Sequence, residues 1–242
     1  SISLPEGLKN IDSYAFLRCN SLELLYLPES VERIGERIAS NENGNLVLRI
    51  PKSIDVIEGR QDFGSFASYA FEGEGNGVEI VDKMFVNNRK DGSRVLLEVD
   101  PKMVEDGVLT IPEGITALGV GALSYVEADK IILPEGLTAI GQDAFFESTV
   151  KEIVTPSILK QLGEQAFNNA SKLEKVTLPE SIETLPYGCF LYCESLSSIV
   201  LPQTLKVLGE KAFYYCHALT QITLPESLEE MGDYALGWTG IT

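Results

Sequence analysis

A short phrase recurs along the chain and limits what it can fold into. Leu-Pro or a close variant stands at Leu4-Pro5, Leu27-Pro28, Ile50-Pro51, Ile111-Pro112, Leu133-Pro134, Thr155-Pro156, Leu178-Pro179, Leu201-Pro202 and Leu224-Pro225. Successive prolines lie 23, 23, 61, 22, 22, 23, 23 and 23 residues apart. A fixed period of this length marks a solenoid, in which each repeat is one coil and stacked coils share a core. Before the proline, apolar residues fall two apart, as at Val176 and Leu178 or Ile199 and Leu201. Period two predicts a strand with one buried face. Proline cannot donate to a sheet ladder and ends that strand. Short parallel strands are thus expected to end at residues 4, 27, 50, 111, 133, 155, 178, 201 and 224.

Each coil goes on to a second apolar pair, such as Leu205 and Leu208, and often a glycine, as at Gly35, Gly119, Gly141, Gly163, Gly209 and Gly232. Glycine there suits a bend or a positive φ. The coil closes on a small residue and a large one: Ala15-Phe16, Ala144-Phe145, Ala166-Phe167, Cys189-Phe190 and Ala212-Phe213. Equivalent side chains in successive coils sit about 4.8 Å apart, so the phenylalanines are expected to stack as an internal ladder.

The run Leu-x-x-Ile-x-Leu-Pro-x-x-Leu-x-x-Ile-Gly-x-x-Ala-Phe-x-x-Cys resembles the BspA-like leucine-rich repeat, carried by treponemal and gut-bacterial surface proteins and by some protozoan ones. The resemblance implies a leucine-rich repeat solenoid, a right-handed superhelix of the alpha-beta horseshoe class, β-rich with little helix. The unbroken repeat predicts one domain over 1–242, and the resemblance implies that it is extracellular or at a bacterial cell surface and binds another macromolecule.

Several places depart from the pattern. Ile38-Ala39 replaces Ala-Phe in the second repeat, and Ala70-Phe71 comes nine residues late in the third, which predicts an insertion over 59–68. Within the 61-residue step, Val78, Ile80 and Val81 are expected to supply one more strand crossing. Residues 84–97 then read as a hairpin turning at Asp91-Gly92, a strong turn signal. Its tip (Asn87, Asn88, Arg89, Lys90, Arg94) is expected to be solvated and to leave the coil stack, so that deleting it would leave melting nearly unchanged.

The formal charge of −17 reads as a solvated acidic surface and disfavours a nucleic-acid partner. No run of 18 apolar residues is present, so no transmembrane segment is expected. Both ends fall in mid-repeat without the polar caps that solenoids need. The chain therefore reads as part of a longer protein, with any export signal or anchor outside it.

No catalytic centre, metal or cofactor is expected. Cys19, Cys193 and Cys216 share one repeat position, and Cys189 fills an alanine slot. They are expected as buried thiols acting as small hydrophobes, and their spacing does not suit zinc. His217 is the one histidine, no acid partner for it is evident, and no phosphate-binding glycine motif occurs. The outward strand positions are the binding candidates. Leu24, Tyr26, Val47 and Arg49 are expected to form an amphipathic patch across adjacent coils. Aromatic residues with arginine are a common composition for a protein contact centre. Arg89, Lys90 and Arg94 make a second candidate, a basic tip able to steer an acidic partner. The partner expected is a protein or an extracellular-matrix macromolecule. A structural spacer displaying other domains stays open as the alternative.

Overall fold

The recurrent phrase folds as a strand, and the strands stack. The computed structural model describes residues 2–39, 45–59, 61 and 68–242. The chain divides into two compact units, Ser1–Asp100 and Pro101–Thr242, and each contains a β-solenoid of parallel strands.

In the first unit, β2 (Leu24–Tyr26), β4 (Val47–Pro51) and β6 (Ser68–Glu72) form one parallel sheet. A second parallel ladder joins β1 (Asn10–Ile11), β3 (Arg33–Ile34) and β5 (Val56–Ile57). The unit then reverses direction through β7 (Val78–Val81), β8 (Met84–Asn88) and β9 (Arg94–Val99), each antiparallel to the next. Asp82 and Lys83, both left-handed at φ 47° and 65°, link β7 to β8, the pair of positive φ angles that a two-residue hairpin turn requires.

In the second unit, β10 (Val108–Thr110), β12 (Lys130–Ile132), β14 (Glu152–Val154), β16 (Lys175–Thr177) and β18 (Ser198–Val200) form a five-stranded parallel sheet. Its central residues, Leu109, Ile131, Ile153, Val176 and Ile199, enter the core. On another side of the coils run two-residue parallel strands: β11 (Ala117–Leu118), β13 (Ala139–Ile140) and β15 (Gln161–Leu162), then β17 (Thr184–Leu185), β19 (Val207–Leu208) and β20 (Glu230–Met231).

The expected phenylalanine ladder forms here. Phe145, Phe167, Phe190 and Phe213 are fully buried, with centroids 4.9, 5.0 and 5.2 Å apart and planes within 13° of parallel. The separation follows the strand spacing of about 4.8 Å and lies where stacked aromatic pairs are favourable. A third side of each coil has no strand but is still bonded coil to coil. Phe145 N donates to Ala166 O, Phe167 N to Cys189 O, Phe190 N to Ala212 O and Phe213 N to Ala235 O, at 2.8–2.9 Å.

Several sequence expectations change. The strands end within one residue of the expected positions, except that the phrases at Leu4 and Leu224 lie outside any strand. The helical component of the horseshoe class has no counterpart among the described residues, which hold only a 3-10 turn at Pro101–Met103. The second ladder falls on the second apolar pair of each coil, where no strand was expected. The glycines are needed for close approach, not for positive φ. A Cβ on Gly163 would lie 2.3 Å from Gln142 N, and one on Gly209 would lie 2.7 Å from Leu185 O. Left-handed φ falls instead on residues such as Asp143, Gln165 and Lys211. The expected insertion over 59–68 lies largely outside the described residues. Ala70-Phe71 is no coil-closing pair: both belong to β6, opposite Arg49 and Ile50. Val78–Val81 is the first arm of an antiparallel hairpin and not a parallel crossing.

The hairpin tip does not leave the coil stack. Asn87 is fully buried. Its Oδ1 accepts from Ile57 N at 3.1 Å, while Nδ2 donates to Asp55 O at 3.0 Å and Gly77 O at 2.7 Å. This side chain satisfies the backbone of β5 where a further parallel coil would otherwise do so. Gln61 acts similarly one corner away, accepting from Ile38 N at 3.3 Å and donating to Gly35 O at 2.7 Å. Unpaired buried backbone groups each cost about 1–3 kcal/mol, so buried amides there are physically favoured over apolar residues.

Phe190→Ala, which opens a cavity between two rings, is expected to lower stability by about 3–5 kcal/mol. Asn87→Ala should cost about 3 kcal/mol by stranding three backbone groups. Urea titrations check both, and unchanged midpoints would contradict the packing described.

Candidate binding surfaces

The four expected patch residues do meet on one face. Strands β2 and β4 pair in parallel with Leu24 opposite Val47 and Tyr26 opposite Arg49. Alternation leaves Leu25 and Leu48 in the core and turns the four outward. Leu24 and Tyr26 are 45% and 46% exposed. Arg49 is less available than its sequence position implies, because its Nε sits 3.1 Å from Glu72 Oε1 on β6.

The basic hairpin residues lie apart from that patch and are tied down. Lys90 Nζ is 3.6 Å from Asp55 Oδ2, and its N–H donates to Asp55 Oδ1 at 2.8 Å. Arg94 meets Glu79 at 2.5 Å, and this guanidinium is the main cause that holds the Glu79 carboxyl below its ordinary range. Arg89 donates to two neutral oxygens, Asn87 Oδ1 at 3.3 Å and Ile57 O at 3.5 Å. The picture of a bare cationic tip is therefore wrong for Lys90 and Arg94.

A more extensive surface was not anticipated. Each coil of the second unit places two residues in the left-handed region, four apart, on its turn side. One such column runs Tyr125, Glu147, Asn169, Tyr192, Tyr215 and Trp238, with φ between 52° and 64°. This conformation costs a non-glycine residue about 1 kcal/mol or more. Backbone bonds to the next coil offset it, as from Tyr192 N to Tyr214 O at 2.9 Å and Tyr215 N to Gly237 O at 3.1 Å. The column's side chains face outward, and three of them make an aromatic row. Tyr192 and Tyr215 stack at 5.0 Å, Tyr215 and Trp238 at 5.4 Å with planes 2° apart. Tyr214 meets Tyr215 edge-on at 4.7 Å, Tyr234 meets Tyr214 at 6.0 Å, and His217 abuts Tyr215 at 5.3 Å. Tyr234 and Trp238 are over 60% exposed. The 23-residue recurrence of Tyr192, Tyr215 and Trp238 is the sequence signal for this row.

The thiols divide. Cys193 Sγ donates to Phe167 O at 3.0 Å and Cys216 Sγ to Phe190 O at 3.1 Å, each reaching back one coil. Cys189, Cys193 and Cys216 are buried and unbridged. Burial raises all three thiols, Cys216 to about 12. Cys19 is exposed, against expectation. Its neighbour Phe16 is only half-buried, so this first coil encloses its closing residues less well. Among the described residues no three His, Cys, Asp or Glu side chains gather as a metal site. No helix among them is long and apolar enough to cross a membrane.

The pattern of the BspA type leucine rich repeat region matches residues 1–87 and 116–242, in six copies. The chain belongs to the BspA-type leucine-rich repeat family. The unmatched stretch holds β9 and the start of the second unit, where the antiparallel hairpin interrupts the repeat. No curated protein matches the chain. Among solved structures it is similar to a leucine-rich repeat protein from Eubacterium ventriosum. The two are 19% identical over 98% of this chain and 82% of that one, with a TM-score of 0.63. It is also similar to a leucine rich cell surface protein from Faecalibacterium prausnitzii, at 23% identity and a TM-score of 0.56. That match covers 93% of this chain and 53% of the other, so the BspA-type chain spans about half that protein's length. These likenesses establish the fold.

A native-state thiol titration at pH 8 is expected to find one reactive sulfhydryl, Cys19, and four after denaturation. Two or more fast-reacting thiols in the native protein would contradict the burial of the other three.

Proposed function

We propose that this chain is a cell-surface or secreted binding module, acting as one leucine-rich repeat domain in protein contact or adhesion to host matrix, with no catalytic role. The observation that carries the reading is the aromatic row of Tyr192, Tyr215 and Trp238, stacked on the coil surface with Tyr192 and Trp238 exposed and Tyr215 half-buried between them. Tyrosine and tryptophan dominate the energetics of protein interfaces. Here the scaffold fixes their backbone before binding, which limits the ordering cost of association. The patch of Leu24, Tyr26, Val47 and Arg49 is a second contact surface in this reading. Family membership and the name of the Faecalibacterium prausnitzii relative support a surface location. The surplus of acid, −17 overall, supports a partner other than nucleic acid.

The test uses purified chain titrated onto fibronectin, laminin and collagen coats. Saturable binding to at least one is expected. Tyr215→Ala with Trp238→Ala, or Tyr26→Ala with Arg49→Ala, should weaken it by about 2 kcal/mol or more. Absence of saturable binding would favour the spacer role instead.

A further inference from the structure

A cleft of about 470 Å³ opens between two sheets of the first unit, lined by Ala70 and Phe71 of β6, by Val78, Glu79 and Ile80 of β7, and by Lys52. A second, of about 290 Å³, shares Lys52, Gly75, Asn76 and Asn88 with it and continues to Arg89 and Lys90.

Three features make this a built site. The first is a free strand edge. Among the named strands β7 pairs only with β8, and β6 only with β4. The Asp82-Lys83 turn makes Val81–Met84 a hydrogen-bonded pair, and alternation makes Glu79–Val86 the next. The N–H and C=O of Ile80 therefore point away from β8, and its side chain is half exposed. Such an edge is a template for an added strand.

The second is a fixed wall. The Gly75–Gly77 loop presses on the turn after β4: a Cβ on Gly77 would lie 1.7 Å from Ile54 O, and one on Gly75 (φ +135°) 2.6 Å from Lys52 O. Gly77 N donates to Lys52 O at 2.9 Å. The third is charge. The acids lining the clefts are already engaged, Glu79 by Arg94 and Asp55 by Lys90. Lys52 makes no ion pair among the described residues, and Arg89 donates its hydrogen bonds to neutral oxygens, with the Asp91 carboxylate near enough to interact electrostatically. In a chain of net charge −17, Lys52 is thus a cation without a carboxylate partner among the described residues, and Arg89 lines the second cleft with it.

We propose that this cleft binds an extended, acidic peptide segment of a partner protein. The segment adds to the edge of β7 through its backbone, seats apolar side chains against Phe71 and Ile80, and sets a carboxylate against Lys52 and Arg89. Main-chain pairing supplies affinity and the flanking pockets supply selection. The proposal stands apart from the aromatic row and the Tyr26 patch, and either can fail without the other.

A phage-displayed random octapeptide library selected on the immobilised chain tests it. Enriched peptides should carry Asp or Glu beside alternating apolar residues, and Lys52→Glu should weaken them at least tenfold with unchanged melting. Backbone N-methylation of the best synthetic peptide should abolish binding, which needs no folded variant of the protein. Failure to enrich any peptide, or equal affinity for wild type and Lys52→Glu, would overturn the proposal. Lys52 dependence that survives every single N-methylation would overturn strand addition.

Discussion

Along the turn side of the second unit, each coil gives backbone N–H groups at alternate residues to the carbonyls of the next. Phe190 is one donor, and two residues either side Gly188 and Tyr192 are the others, reaching Glu210 O and Tyr214 O. This pairing resembles a parallel ladder, yet two of its three donors, Gly188 and Tyr192, are themselves left-handed, so no strand appears. Everything else rests on it. It sets a rise near 5 Å, and that rise lets the Phe145–Phe213 rings stack and the cysteine thiols reach back to the preceding coil. It also turns the left-handed side chains outward, so one constraint builds both core and aromatic surface.

Where such stacking stops, backbone groups need other partners. In the first unit the buried amides of Asn87 and Gln61 provide them, and the chain changes from parallel coils to an antiparallel hairpin. The change leaves β6 and β7 as neighbouring sheet ends with a cleft between them. Exposed ion pairs between coils, such as Lys206–Glu183 and Lys151–Asp129 at 2.7 Å, decorate this frame. Pairs of that kind contribute little each, so backbone register and ring packing carry the stability.

The proline register, the strand column and the phenylalanine ladder were legible because they repeat, and because period two and buried rings have direct physical readings. The outward patch of Leu24, Tyr26, Val47 and Arg49 was legible for the same reason. The second ladder was not: two-residue strands such as Val207–Leu208 are too short to show a period. Close approach and positive φ select the same residue, so the repeat glycines carry no sequence mark that separates the two roles. Asn87 looked like a tip residue, since nothing in its local sequence shows that a backbone on another coil needs its amide. Tyr192, Tyr215 and Trp238 did recur at the coil period, but their exposure follows from a left-handed backbone that no single residue type announces.

Native-state amide hydrogen exchange tests the central claim most directly. The account predicts that Phe145, Phe167, Phe190 and Phe213 exchange only by global unfolding, as slowly as the strand residues Ile153 and Val176. Exchange of those phenylalanine amides at the rates of open loops would show that the turn-side ladder is not formed, and the account would be wrong.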